Sequence, residues 1–267
     1  LDKLFGAWNA AAAAAFNALG TDDFPEKVEA ALRTILDFDI LMVFGYCGAE
    51  RPIGCYHNME PNRSKTVIDA YASGPYLLDP FYSAAMDLKV SGVRRLKTMA
   101  PDHFYSSEYY KHHYVLTGIR DEVGIVCRPR NWTGVVISLT RPVSAPVFGR
   151  RDLTAIRDVE PLLRLMAENH WGRDEYGPGA PSGAERRQDP INETLNRMSF
   201  GILTPREIEI TSLILRGHSN VSIADSLSIS PGTVKIHRKN IHQKLEISNQ
   251  SELFAMFIRE LSTSAAA

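Results

Sequence analysis

Apolar residues recur at helical spacing in several stretches of the chain. Leu4, Phe5, Trp8, Phe16 and Leu19 flank an alanine run at 10–15, which predicts an amphipathic helix at the start. Over 25–36, Val28, Ala31, Leu32 and Ile35 share one face. Residues 64–72 also read as helix. Over 148–167, Leu153, Ile156, Val159, Leu162, Leu163 and Met166 mark a long helix. Between them, 39–47 is apolar after Asp39 and partly β-branched, as a strand would be. Residues 122–128 and 134–140 read as a strand pair around a turn at Asn131. Strands flanked by helices predict an α-β-α domain with a central antiparallel sheet over 1–171.

The pattern breaks at 172–190. That stretch is rich in Gly, Pro and charge and nearly free of large apolar residues, so it cannot bury enough surface to order itself. It predicts a flexible linker over 172–199, followed by an all-α domain over 200–267. The fold class is therefore α+β, with two domains.

The second domain is legible from its helix ends. Thr204-Pro205-Arg206-Glu207 is a capping box with proline at the first helical position, and Gly217 is placed to stop that helix. Asn220 is positioned to cap a short helix over 221–227. Ser228-Ile229-Ser230 forms a turn, and Ser230-Pro231 starts a third helix. A fourth begins near Ser248 and Asn249 and runs to about 261. Four short capped helices, the middle pair joined tightly, satisfy the requirements of a helix-turn-helix.

On the third helix, Val234, Ile241 and Leu245 fall on one side and Lys235, Ile236 and Lys239 on another. From Pro231 to Leu245 the basic residues are Lys235, Arg238, Lys239 and Lys244, with no acidic one. A basic face alone is as often a solvated surface. With these caps and this spacing, cations plus one apolar side chain fit a DNA major groove.

These residues resemble the LuxR-type helix-turn-helix family. The matching segments are Leu203-Thr204-Pro205-Arg206-Glu207-Ile208-Glu209, Gly217, Ser219-Asn220-Val221-Ser222-Ile223-Ala224, Ser230-Pro231-Gly232-Thr233-Val234-Lys235-Ile236-His237, and Ile241-His242-Gln243-Lys244-Leu245. The resemblance implies a four-helix module that binds a two-fold operator on double-stranded DNA as a homodimer, with the last helix pairing subunits. It implies that Lys235, Ile236 and Lys239 face base edges. Thr233, His237 and Lys244 would lie near phosphates or brace the helix, and Asn220 and Arg238 complete the candidate DNA-binding set. RNA polymerase is a further partner such a regulator implies. The family's usual Lys-Glu after Ser-Asn is Val221-Ser222 here, which removes one cation and flattens the salt dependence of binding by about one counterion.

The family carries varied input domains. A phosphoacceptor receiver needs acidic residues after an early strand, whereas Asp22-Asp23 follows an alanine-rich helix. Leu78-Asp79-Pro80-Phe81 resembles the Asp-Pro motif of acyl-homoserine-lactone receptors, but the Trp-x-x-x-Tyr pair before it is missing. The remaining resemblance is to a GAF- or PAS-like sensor of a small molecule of unknown identity, with the lactone receptor as the alternative. Tyrosine, phenylalanine and histidine crowd 71–114, supplying both apolar lining and polar handles. The candidate ligand contacts are Asp79, Tyr71, Phe81, Tyr82 and Tyr56. Asp79 is placed either to receive an ammonium or amide N–H or to form a turn before Pro80. The same aromatics could instead form a protein interface.

Charge and composition narrow the rest. The chain of 267 residues has a net charge of −1, so DNA affinity must come from a local patch. Three cysteines without framework spacing fit a reducing cytoplasm. No apolar run approaches a membrane span, and no basic-then-apolar leader opens the sequence. Cys47, Cys55 and His57 are spaced too loosely for structural zinc. No phosphate loop and no nucleophile elbow occurs, so no catalytic residue, metal or cofactor is expected.

Overall fold

A computed structural model of the protein describes residues 3–48, 50–178 and 189–264. It divides into two compact units. The first comprises Leu1–Ser64, Phe81–Met99 and Gly118–Ala184, and the second Lys65–Pro80, Ala100–Thr117 and Glu185–Ala267. Two stretches that the sequence groups with the first domain thus belong to the same unit as the C-terminal helices.

The first unit contains α1 (Lys3–Asn17), α2 (Phe24–Arg33), β1 (Leu41–Tyr46), β2 (Ile53–His57), α3 (Pro80–Met86), β3 (Gly92–Arg95), β4 (Ile119–Cys127), β5 (Gly134–Pro142) and α4 (Arg150–Trp171). The sheet order is β2-β1-β5-β4-β3, and every pair is antiparallel. Leu41, Val43, Val123, Ile125, Ile137 and Leu139 pack on one face with Trp8, Val28, Leu32, Ile156, Leu163 and Trp171. Register follows from the pairs Val43↔Ile137 and Ile125↔Ile137, which place these apolar side chains on that face together.

The two edge strands carry no usable sequence signal. β2 reads Ile-Gly-Cys-Tyr-His and β3 reads Gly-Val-Arg-Arg, each half-exposed and each containing a glycine. The three inner strands are buried at almost every position, which is why their centres read as largely apolar.

The opposite face of the sheet carries Met42, Phe44, Tyr46, Glu122, Gly124, Val126, Val136, Ser138 and Thr140, as the pairs Phe44↔Val136, Glu122↔Thr140 and Gly124↔Ser138 require. Gly124 is needed there: a Cβ would stand 2.5 Å from Cε1 of the buried Phe81 ring. Past α3, the Arg128 guanidinium donates to the carbonyls of Ala84, Ala85, Asp87 and Val90. It thereby satisfies carbonyls at the end of α3 and in the turn that follows it.

In the second unit, residues over the predicted 64–72 helix are helical with a π turn at Lys65–Asp69. The aromatic stretch forms short turns at Phe104–Ser106, Glu108–Tyr110 and Lys111–Val115. Then follow α5 (Pro190–Met198), α6 (Pro205–Arg216), α7 (Asn220–Leu227), α8 (Pro231–Leu245) and α9 (Gln250–Ser264). Residues 190–198, which the sequence places in the linker, are helical because Asp189 caps the Ile191 amide and Ile191, Leu195 and Met198 are buried on one side. Residues 179–188 of that linker lie outside the described residues. The core joins Ile191, Leu195, Ile210, Ile214, Ile223, Val234, Ile241, Leu253 and Phe257, all buried.

Candidate nucleic-acid interface

Four local devices set the helices of this interface. Thr204 Oγ1 accepts from the Glu207 amide at 3.3 Å, and Glu207 Oε2 accepts from the Thr204 amide at 2.8 Å, closing the box that starts α6. Gly217 ends α6 at φ +91°, a left-handed conformation that disfavours other residues. Ser219, not Asn220, caps α7: its backbone is extended and its Oγ accepts from the Ser222 amide at 3.1 Å. Asn220 is already the first helical residue. Ser230 Oγ accepts from the Thr233 amide at 3.0 Å, with Pro231 opening α8.

These caps leave α8 with two chemically different sides. Val234, Ile241 and Leu245 are buried. Lys235, Lys239 and Ile236 are exposed, Ile236 by 62%. This side of the helix therefore presents one large apolar side chain between two ammonium groups. Thr233 bonds back to Ser230, and His237 is half-buried.

Two of the candidate cations have partners within the protein. Lys244 Nζ lies 2.7 Å from Oε2 of the buried Glu207, tying the end of α8 to the start of α6. Burial pushes the Glu207 carboxyl up, but the bonds from Lys244 and Thr204 and the Lys244 charge outweigh it and hold it below the usual range. Arg238 Nη1 donates to Asn220 Oδ1 at 3.2 Å, so these two residues join α8 to α7. Burial lowers the Arg238 pKa.

The candidate ligand residues fall in several places. Tyr71 OH donates to Asp79 Oδ2 at 2.7 Å, a buried bond in the second unit. In the first unit, Phe81 and Tyr82 are buried on α3, and the Tyr82 ring lies 5.5 Å from that of Tyr46. Tyr56 pairs with Val43 and so faces the other side of the sheet, where its hydroxyl donates to Glu29 Oε2 at 2.6 Å. The sequence reading missed Glu122, Ser138 and Thr140, which put polar atoms on the face that holds Tyr46. Ser138 Oγ donates to Glu122 Oε1, and Thr140 Oγ1 is buried with no hydrogen-bond partner among the described residues. The available signal was a carboxylate and two hydroxyls inside otherwise apolar strands.

Most of the aromatic stretch packs on itself. Tyr109 stacks on His113 at 5.5 Å, Tyr110 on Tyr114 at 5.3 Å, and the buried Phe104 meets all three tyrosines. Among the described residues no group of three or more His, Cys, Asp or Glu side chains could hold a metal ion. No helix of the described residues is long and apolar enough to cross a membrane.

Comparison with known proteins locates the similarity. Residues 201–257 match the family described as bacterial regulatory proteins, luxR family. The chain is 28% identical over 188 residues to a protein of Aeromonas salmonicida named as an HTH-type transcriptional regulator, covering 69% of this chain and 95% of that protein. It is 26% identical over 198 residues to the monoamine regulon transcriptional regulator of Klebsiella aerogenes, covering 74% of this chain and 73% of that one. The crystal structure of the VqsR LBD domain from Pseudomonas aeruginosa shares the fold, with a TM-score of 0.55 at 22% identity, over 63% of this chain and 99% of that chain.

Proposed function

We propose, from this chain's membership of the bacterial luxR family of regulatory proteins through residues 201–257, that it reads a two-fold operator with α8 and takes a small molecule in its first unit. It is a DNA-binding transcriptional regulator and not an enzyme. The observation that carries the readout is the exposed trio Lys235, Ile236 and Lys239, on a helix whose reverse side is locked into the core. In a helix-turn-helix the second helix enters the major groove and the first crosses the backbone. Here α8 takes the first role and α7 the second. Two copies would present two such helices to half-sites about one helical turn apart.

The small molecule is best supported on the sheet face that holds Tyr46, Glu122, Ser138 and Thr140, where Tyr82 of α3 meets Tyr46. A largely apolar surface with a few buried polar groups is the usual lining of a ligand site. Thr140 Oγ1 is a buried hydroxyl with no hydrogen-bond partner among the described residues, and an amide, carbonyl or hydroxyl of a ligand would supply one.

The test of the readout uses a duplex of roughly 30 base pairs enriched from a random pool by the wild-type protein. Lys235→Ala and Lys239→Ala are each titrated against it by fluorescence anisotropy across salt. Each substitution weakens binding, and a lysine on a phosphate also reduces the salt slope by about 0.9. Affinity and slope unchanged in both variants would remove α8 from the groove.

A further inference from the structure

Within the second unit, residues 101–112 lie along the helices that form the interface. The His103 amide donates to the Gly217 carbonyl at 2.9 Å. The backbone of Phe104 comes so close that a Cβ on Gly217 would stand 2.8 Å from Phe104 Cα. Asp102 Oδ1 accepts from the Ser219 amide at 2.9 Å. The His112 ring stacks on Phe254 of α9 at 5.0 Å.

The charged contact falls where it matters. Ser219 caps α7, the helix that crosses the DNA backbone in the reading above. Amides at such a helix start, with an arginine beside them, are where phosphates bind. Beside Ser219 lies a cavity of about 300 Å³ walled by His103, Ser106, His218, Asn220, Arg238 and Gln250, with no carboxylate on its wall. Arg238 has one hydrogen bond, to neutral Asn220, and no carboxylate partner among the described residues. The anion this corner holds is Asp102.

We infer that residues 101–112 form an autoinhibitory clasp in which the Asp102 carboxylate stands where a DNA backbone phosphate would approach the start of α7. The clasp must leave for that phosphate contact to form. The clasp lies within Ala100–Thr117, a stretch whose chain neighbours Met99 and Gly118 belong to the first unit, which gives a change in that unit a covalent route to the clasp. The inference rests on the DNA-binding role proposed above.

The experiment uses the full chain and the same enriched duplex, with anisotropy titrations across salt. Asp102→Asn keeps the size and removes the charge. His112→Ala frees the far end of the clasp through an exposed residue and leaves Asp102 in place. Glu193→Gln on α5 removes one negative charge elsewhere. Asp102→Asn and His112→Ala both tighten binding, by roughly fivefold at low salt, with a salt slope steeper by about 0.9. Glu193→Gln leaves affinity and slope as they were. Circular dichroism melts confirm that each variant is folded, and a variant that melts early is replaced by Asp102→Ser, which removes the same carboxylate at an exposed position. The clasp is refuted if Asp102→Asn binds no tighter than wild type at any salt, or if Glu193→Gln tightens equally. If neither wild type nor variants hold the duplex at low salt, the DNA-binding role falls and the clasp with it.

Discussion

Glu207→Ala should unfold the second unit early and leave the first untouched. The carboxylate accepts from the Thr204 amide at 2.8 Å, the Thr204 hydroxyl at 2.9 Å and Lys244 at 2.7 Å, while the residue itself is buried. Losing the reciprocal cap costs about 1 kcal/mol. Losing the pair to Lys244, which is 36% exposed and can rehydrate, costs about 1 kcal/mol. The buried methylene adds roughly 0.8 kcal/mol. Together these give about 3 kcal/mol, a fall in the melting midpoint on the order of 15 °C for a unit of this size. Glu207→Gln keeps the methylene and an acceptor for the cap and should lose only about 1 kcal/mol.

The three tryptophans, Trp8, Trp132 and Trp171, all sit in the core of the first unit, so their fluorescence does not report on the second. Far-UV circular dichroism sees both. The expected result is a helical component that melts early while the tryptophan transition stays in place. The pH dependence gives a second check. The folded carboxyl is held below its unfolded value, so its contribution is complete above about pH 4.3 and drains as pH falls through the lower folded value. The difference between wild type and Glu207→Ala should therefore shrink in acid. A variant that melts with wild type at neutral pH, or whose deficit grows as pH falls, would refute this account.

Two further predictions concern the first unit. Gly124→Ala drives a Cβ into the Phe81 ring and to 3.1 Å from Val136 Cγ1, so it should cost about 1–3 kcal/mol, read as an earlier tryptophan transition; a neutral effect would mean the ring moves freely. Burial, reinforced by the Arg173 charge and opposed by Asp22, pushes His170 down to about 4 as it stacks between Phe24 and Tyr176. Its neutral form is the one the fold accepts, so stability is complete above the unfolded value of about 6.5 and declines as pH falls towards 4. An NMR titration of the imidazole with its midpoint at about 6.5 would contradict that burial.

Helix ends were written locally in this chain. Thr204 with Glu207, Ser230 with Thr233, and Gly217 after Arg216 each depend on neighbours within one turn, so residue type and spacing alone set both ends of α6 and the start of α8. The inner strands were legible for a related reason: a segment buried on both faces is largely apolar, with Glu122, Ser138 and Thr140 as the exceptions. The same logic separated the buried side of α8 from the lysine-bearing side. Even here a one-residue ambiguity survived, because Ser219 and Asn220 are both good caps and only the Arg238 guanidinium 18 positions away engages Asn220.

What the sequence could not supply was contact between distant positions. The edge strands β2 and β3 exist because inner strands offer them a ladder, not because their own residues demand extension. Tyr56 turned to Glu29, and Glu122 met Ser138 across a strand pair, since register rather than composition decides which face a side chain joins. The Asp102 carboxylate and the Ser219 amide are 117 residues apart. A hydrogen bond closed over such a distance leaves no periodic trace along the chain, and only the folded backbone brings its two halves together.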